Sequence, residues 1–157
     1  MRTLTLLAAG LLLAAPAFAD TALTPDQIKA GIGNWRWSEA ESNYSTGVYA
    51  KEQTMVITKN DKTGITVSQH VELKDGKVFD WHIDAPWDDQ MRHASTWMSF
   101  AFSRISDTAF HDRYKMDTDG EEGAETFTIT PTRLTIKGSS LHNGKQAPYV
   151  EVWDRVE

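Results

Sequence analysis

Five histidines, His70, His82, His93, His111 and His142, are the first residues whose side chains could do chemistry. A metal site needs ligands that converge, which in sequence shows as closely spaced histidine or cysteine pairs. None of these histidines is paired in that way and the chain has no cysteine, so neither a metal site nor a cofactor is expected. His82 lies two residues from both Asp80 and Asp84, which would set carboxylates beside an imidazole on one strand face. The same alternation describes a solvated outer face opposite Phe79, Trp81 and Ile83, and that is the preferred reading. Glu39, Glu41, Asp88 and Asp89 offer carboxylate pairs. Hydrolytic acid–base chemistry would need two such groups held across a cleft, and adjacent acids in a loop usually point apart. No G-x-S-x-G run is present and no thiol nucleophile exists. No catalytic residue is assigned.

The aromatic residues carry more signal. The chain has six Trp, four Tyr and six Phe. Phe79, Trp81, Phe100, Phe102, Phe110 and Tyr114 fall on three successive strand patterns and share a phase within each. Ligand pockets are mostly apolar and aromatic, with a few polar groups. These six are the candidate ligand-binding residues, with Trp81, Phe100, Phe102 and Tyr114 lining a cavity. The irregular loop from Pro86 to His93 is placed at its mouth. Aromatic residues also fill any β core, so the pattern fits plain packing as well.

The elements that must position these residues read in period two. Residues 20–33 form an entry segment with one short helix, with Thr24 at its N-cap and Pro25 at its first position. Strand patterns then follow at Met55–Thr58, Ile65–Leu73, Val78–Asp84, Trp97–Ile105, Thr108–Met116, Glu125–Thr130, Arg133–Ser139 and Tyr149–Arg155, after a first strand opening at Gly33. Asp75-Gly76 and Asn143-Gly144 are hairpin turns. Evenly spaced sequential strands predict an all-β, antiparallel, up-and-down barrel of about eight or nine strands, since closure removes exposed edges.

The N-terminus reads as a cleavable signal peptide over 1–19. Arg2 precedes an apolar run from Leu4 to Ala15, and Ala17-Phe18-Ala19 is a small-x-small cleavage pattern. The barrel domain is then 20–157, exported to the periplasm or beyond. The whole chain carries a formal charge of −6, and losing Arg2 with the leader makes the exported domain about −7. With no long Lys/Arg cluster, nucleic-acid binding is not expected. No later segment is apolar enough for a membrane span. The expected partner is a small apolar or amphipathic ligand. Oligomeric state is not readable.

Gly33-Asn34-Trp35, after the short helix and opening the first strand, resembles the G-x-W signature of lipocalins and their calycin relatives. The remainder resembles a group of small secreted bacterial lipocalin-like domains. It has Ser42-Asn43-Tyr44-Ser45 after the G-x-W segment, Arg104-Ile105-Ser106-Asp107 at a strand end, and Leu134-Thr135-Ile136. Asn143-Gly144-Lys145 and Val150-Glu151-Val152-Trp153 complete the pattern. Residues 84–97 follow no part of it. The resemblance implies a barrel with an internal cavity. It also implies that Trp35 closes one end, covered by a basic side chain from the last strand; Arg155 stands where that partner belongs. Two alternatives stay open on the same scaffold. One is an isomerase, lyase or decarboxylase using His82 or His111 with a nearby acid. The other is an envelope module that binds another protein.

Overall fold

In the computed structural model, which describes residues 22–45, 47, 50–117, 120–142 and 144–156, the chain enters through one helical turn and then runs almost wholly as antiparallel strand. The expected signal peptide lies outside the described residues, as does Asn143 of the last hairpin. Helix α1 (Pro25–Lys29) begins with a capping box: Gln27 N–H donates to Thr24 Oγ1, and Thr24 N–H donates to Gln27 Oε1. It stops as the chain turns into strand β1 (Gly33–Trp37). A 3-10 turn at Glu39–Glu41 separates β1 from the two-residue β2 (Asn43–Tyr44). The remaining strands are β3 (Ala50–Asp61), β4 (Gly64–Leu73), β5 (Val78–Ala85), β6 (Arg92–His93), β7 (Met98–Ser106), β8 (Ala109–Met116), β9 (Glu122–Ile129), β10 (Arg133–His142) and β11 (Lys145–Val156).

All belong to one sheet in the order β5-β4-β3-β1-β11-β10-β9-β8-β7-β6, with β2 pairing beside β1 along β11. Around the barrel the strands of this path follow in chain order, and β1, next to β3, also pairs with the last strand β11, as in an up-and-down barrel. The sheet curls until its two edges meet. There His82 N–H donates to the carbonyl of Ala94 at 3.2 Å. Trp81 packs on Phe100 at 4.6 Å between ring centroids, and Phe79 on Trp97 at 5.1 Å. The barrel is thus nearly closed, with a seam held more by aromatic contact than by a ladder. Among the described residues it has eleven strands, not eight or nine. The two extra strands, β2 and β6, are too short to show a period, and β3 starts five residues before the apolar run that marks it in the sequence. Among the described residues no helix is long and apolar enough to cross a membrane.

One end of the barrel is filled. Trp35, Ile57, Ile65, Leu134 and Trp153 have no exposed surface, and Phe102 and Phe110 almost none. Trp35 donates from Nε1 to the Gly31 carbonyl at 2.9 Å. Arg155, its register partner on β11, lies over the indole with Cζ 4.3 Å from the ring centroid. The guanidinium also donates to the carbonyls of Ile28, Ile32 and Pro131, tying α1 to the barrel rim. Gly33 has φ of +138°, and a Cβ there would drive into that guanidinium. Only glycine fits both demands.

Candidate ligand-binding site

Above this filled end the interior opens into a cavity of about 380 Å³. Strand pairing explains why. Directly paired residues Asp112, Glu125, Gly138, Tyr149 and Tyr44 form one belt across β8, β9, β10, β11 and β2. The next belt toward the mouth runs Phe100, Tyr114, Gly123, Ser140, Ala147. Each belt sets a large side chain against a glycine. A Cβ on Gly138 would come within 2.7 Å of the Tyr149 ring, and one on Gly123 would collide with Tyr114. The tyrosines therefore lie flat across their neighbouring strands, and small and polar groups occupy what would otherwise be core.

The cavity has two kinds of wall. Val71, Leu73, Trp81, Trp97, Met98 and Phe100 make an apolar, aromatic side. Asp112, Glu125, Glu151, Tyr44, Tyr114 and Tyr149 make a polar side. The polar side is organised as two hydrogen-bonded chains. In one, Gln69 donates to Gln53 (2.8 Å), Gln53 to Tyr44 Oη (3.4 Å), and Tyr44 to Glu151, which also accepts from Trp153 Nε1 (2.9 Å). In the other, Tyr149 Oη donates to Glu125 Oε1, and the Glu125 carboxyl lies beside that of Asp112. Tyr149 stacks on Tyr44 at 5.6 Å and joins the two chains.

Burial is the main cause of the electrostatics here, because a low-dielectric interior penalises the charged form of an acid. It pushes Glu125 up to about 7, with the Glu151 charge adding to the rise and the Tyr149 and Asp112 hydrogen bonds opposing it. Asp112 is held well above the usual carboxylate range by burial first, then by the charge and hydrogen bond of Glu125. Glu151 is raised by burial too, and the tyrosines with it. Asp112 is 3% exposed, and its Oδ1 has no hydrogen-bond partner. No Lys, Arg or His stands among the described residues of the lining. Among the described residues no three His, Cys, Asp or Glu come close enough to hold a metal ion.

The six aromatic candidates divide. Trp81, Phe100 and Tyr114 line the cavity. Phe102 and Phe110 do not: they stack into the filled end, where Phe110 lies 4.3 Å from Phe127 and 5.6 Å from Trp87. Phe79 packs against Trp97 at the seam. Sharing a phase put all six indoors, but the interior is solid at one end, so facing inward is not the same as facing the cavity. The loop after β5 is not at the mouth either. Trp87 donates from Nε1 to the Asp61 carbonyl and packs on Phe110, so the loop covers the filled end. The mouth is formed instead around Gly47, Leu73, Trp97, Met116 and Glu121.

The histidines considered for acid–base chemistry are also away from the cavity. On the outer face His82 bonds Ser68 (2.8 Å), His70 bonds Asp80 (2.7 Å) and His111 bonds Thr126 (2.8 Å), each a cross-strand polar pair. Glu39, Glu41, Asp88 and Asp89 are spent on exposed ion pairs with Lys74, Arg133, Arg92 and Arg113. The carboxyls that do face inward were passed over. The signal for them was present: Asp112 falls in phase between Phe110 and Tyr114, Glu125 with Phe127 and Ile129, and Glu151 with Tyr149 and Trp153.

No family model and no curated sequence matches the chain. Solved structures do match its fold. Secretory abundant heat soluble protein 4 from Ramazzottius varieornatus aligns over 87% of this chain and 100% of its own, with a TM-score of 0.56 at 9% identity. A redesigned β-barrel, mFAP1, solved bound to DFHBI, covers 83% of this chain and 97% of its own, with a TM-score of 0.52 at 10% identity. The fluorescent protein UnaG covers 80% and 96%, with a TM-score of 0.50 at 13% identity. At such identities the likeness speaks for architecture alone: an antiparallel, nearly closed β-barrel.

Proposed function

We propose that this chain is an exported barrel that binds one small amphipathic molecule in its interior. The observation that carries the reading is the two-sided cavity: about 380 Å³ of space between an aromatic wall and an ordered polar wall. That volume is in the range of small-molecule sites. Filled cores leave few voids larger than a water molecule, so retained space of this size at the centre of a closed sheet implies an occupant. The redesigned barrel mFAP1, of the same architecture, is itself bound to a small molecule, DFHBI. Export rests on the leader pattern at residues 1–19. N-terminal sequencing of the mature protein should then read Asp-Thr-Ala-Leu.

The direct test uses N-phenylnaphthylamine, an uncharged fluorescent probe. It should quench emission from Trp81 and Trp97 and bind at about 1 to 100 μM, typical of apolar burial offset by the entropy of association. Phe100→Trp adds bulk at the aromatic wall and should weaken binding at least about tenfold. Its unfolding midpoint should stay close to that of the parent. Absence of binding, or binding indifferent to Phe100→Trp, would overturn the assignment of this cavity.

A further inference from the structure

Resting on that reading, we infer that the ligand is a cation: a primary or secondary ammonium carried on a flat apolar body, with its nitrogen seated against Asp112 and Glu125. Three features of the cavity point this way. The first is its charge inventory. Asp112, Glu125 and Glu151 all reach the interior, and no basic side chain stands among the described lining residues. A fatty acid or other anion would enter against these groups with nothing to pair it, and juxtaposed like charges strongly disfavour binding.

The second is the way the acceptors are used. Both oxygens of Glu151 already accept, from Tyr44 and from the Trp153 indole, and Glu125 accepts from Tyr149. Asp112 Oδ1 accepts from nothing, although the residue is 97% buried and belongs to the cavity wall. A buried acceptor left unmade is costly, and each such group in a well-packed protein calls for an explanation. A ligand ammonium set against the adjoining Asp112 and Glu125 carboxyls supplies the positive partner that this pair lacks. The third is the opposite wall. Trp81, Trp97 and Phe100 line it, and aromatic rings there suit a flat apolar body and favour a cation beside them. The three carboxyls are not close enough together to grip a metal ion. An organic ammonium, with donors spread over a larger head, needs no such convergence.

With no cation beside it Glu125, pushed up to about 7, is partly protonated near neutral pH, and burial raises Asp112 in the same direction. An arriving ammonium stabilises both carboxylates, so the proton leaves to solvent as the ligand enters. The groups that face Glu125 are Asp112 on β8, Tyr149 and Glu151 on β11, Tyr114 beside Tyr149 and Tyr44 on β2, and none supplies a positive charge to do this in the ligand's place.

The experiment compares three probes of one shape on the full chain: naphthylmethylamine, naphthalenemethanol and naphthylacetic acid. Titration calorimetry is run at about pH 7 in buffers of differing ionisation enthalpy. The ammonium should bind at least about tenfold tighter than the carboxylate, with the alcohol between, and only the ammonium should release protons. Asp112→Asn and Glu125→Gln should each reduce the preference, and the double variant should abolish both the preference and the proton release. Retained alcohol binding by these variants shows that they fold. Equal binding of all three probes, or tighter binding of the carboxylate, overturns the cation assignment while leaving the cavity reading intact. So does an ammonium preference untouched by either substitution. If none of the three binds while N-phenylnaphthylamine does, the cation assignment falls alone; if that probe fails too, both readings fall together.

Discussion

The two ends of this barrel are made by the same strands and differ in what those strands turn inward. At the Trp35 end, β3, β4, β10 and β11 contribute Ile57, Ile65, Leu134 and Trp153, all without exposed surface, and α1 and the Trp87 loop cover what remains. Two residue pairs further along, the same strands turn in Gln53, Gln69, Gly138 and Tyr149, and the space is not filled. A barrel of this size can close on side chains or hold a ligand. Here it does one at each end. Stability is concentrated at the filled end, and the cavity end gives some of it up by keeping acids and open volume inside.

The largest expected effect tests that division. Trp35→Ala removes a fully buried indole, its hydrogen bond to Gly31 and the surface beneath Arg155, and should cost about 3–5 kcal/mol in a urea melt. Trp81→Ala deletes the same side chain from the cavity wall, where the site is already half-open, and should cost about 1–2 kcal/mol because less packing is lost. Comparable losses from the two variants would mean that the ends are not energetically distinct.

Arg155→Ala should fall below Trp35→Ala, at about 1–2 kcal/mol. The substitution strands the carbonyls of Ile28, Ile32 and Pro131, but these lie near the rim, where water can replace the guanidinium. Arg155→Lys should recover only part of the loss, since an ammonium cannot cover the indole and reach three diverging carbonyls at once. A lysine variant as stable as the parent would reduce the contact to simple charge.

What could be read from the sequence follows the same division. The filled end was legible because its devices are local or periodic: a capping box at Thr24, Gly33 before Trp35, and a run of inward Ile, Val and Leu. Alternation along β5, β7 and β8 also turned their aromatic residues inward. The cavity end was not legible, for two physical reasons. Asp112, Glu125 and Glu151 share a phase with large apolar residues, yet acids are ordinarily solvated, so composition argued against the period and prevailed. And whether an inward face is packed or open depends on which residues meet across strands. Gly138 opens space only because Glu125 and Tyr149 are its register partners, and that pairing is a property of the whole sheet. The histidine and acid pairs that composition did highlight lie on the outer face, where cross-strand polar ladders are ordinary.

A pH-dependent effect discriminates most sharply between the ends. Glu125 is pushed up to about 7 from an ordinary value of 4.5, and Asp112 and Glu151 move in the same direction. An acid whose value is higher in the folded state than in the unfolded one makes the native protein hold the extra proton between the two values. Stability is then fully present below the unfolded value and is lost as pH rises through the folded one. The wild-type barrel should therefore lose about 1–3 kcal/mol between about pH 5 and pH 8, by urea unfolding. Asp112→Asn removes one of the crowded acids and gives Glu125 an amide donor in place of a second carboxyl. It should match the parent near pH 5 and exceed it by about 1–2 kcal/mol near pH 8. The exposed Asp84 is the control: it accepts from Thr66 on the outer face, and Asp84→Asn should shift neither end of the profile by more than about 0.5 kcal/mol. A variant Asp112→Asn that is destabilised equally at both pH values would mean that the carboxylate has a structural partner at the cavity end, and that this end, like the other, is built for stability.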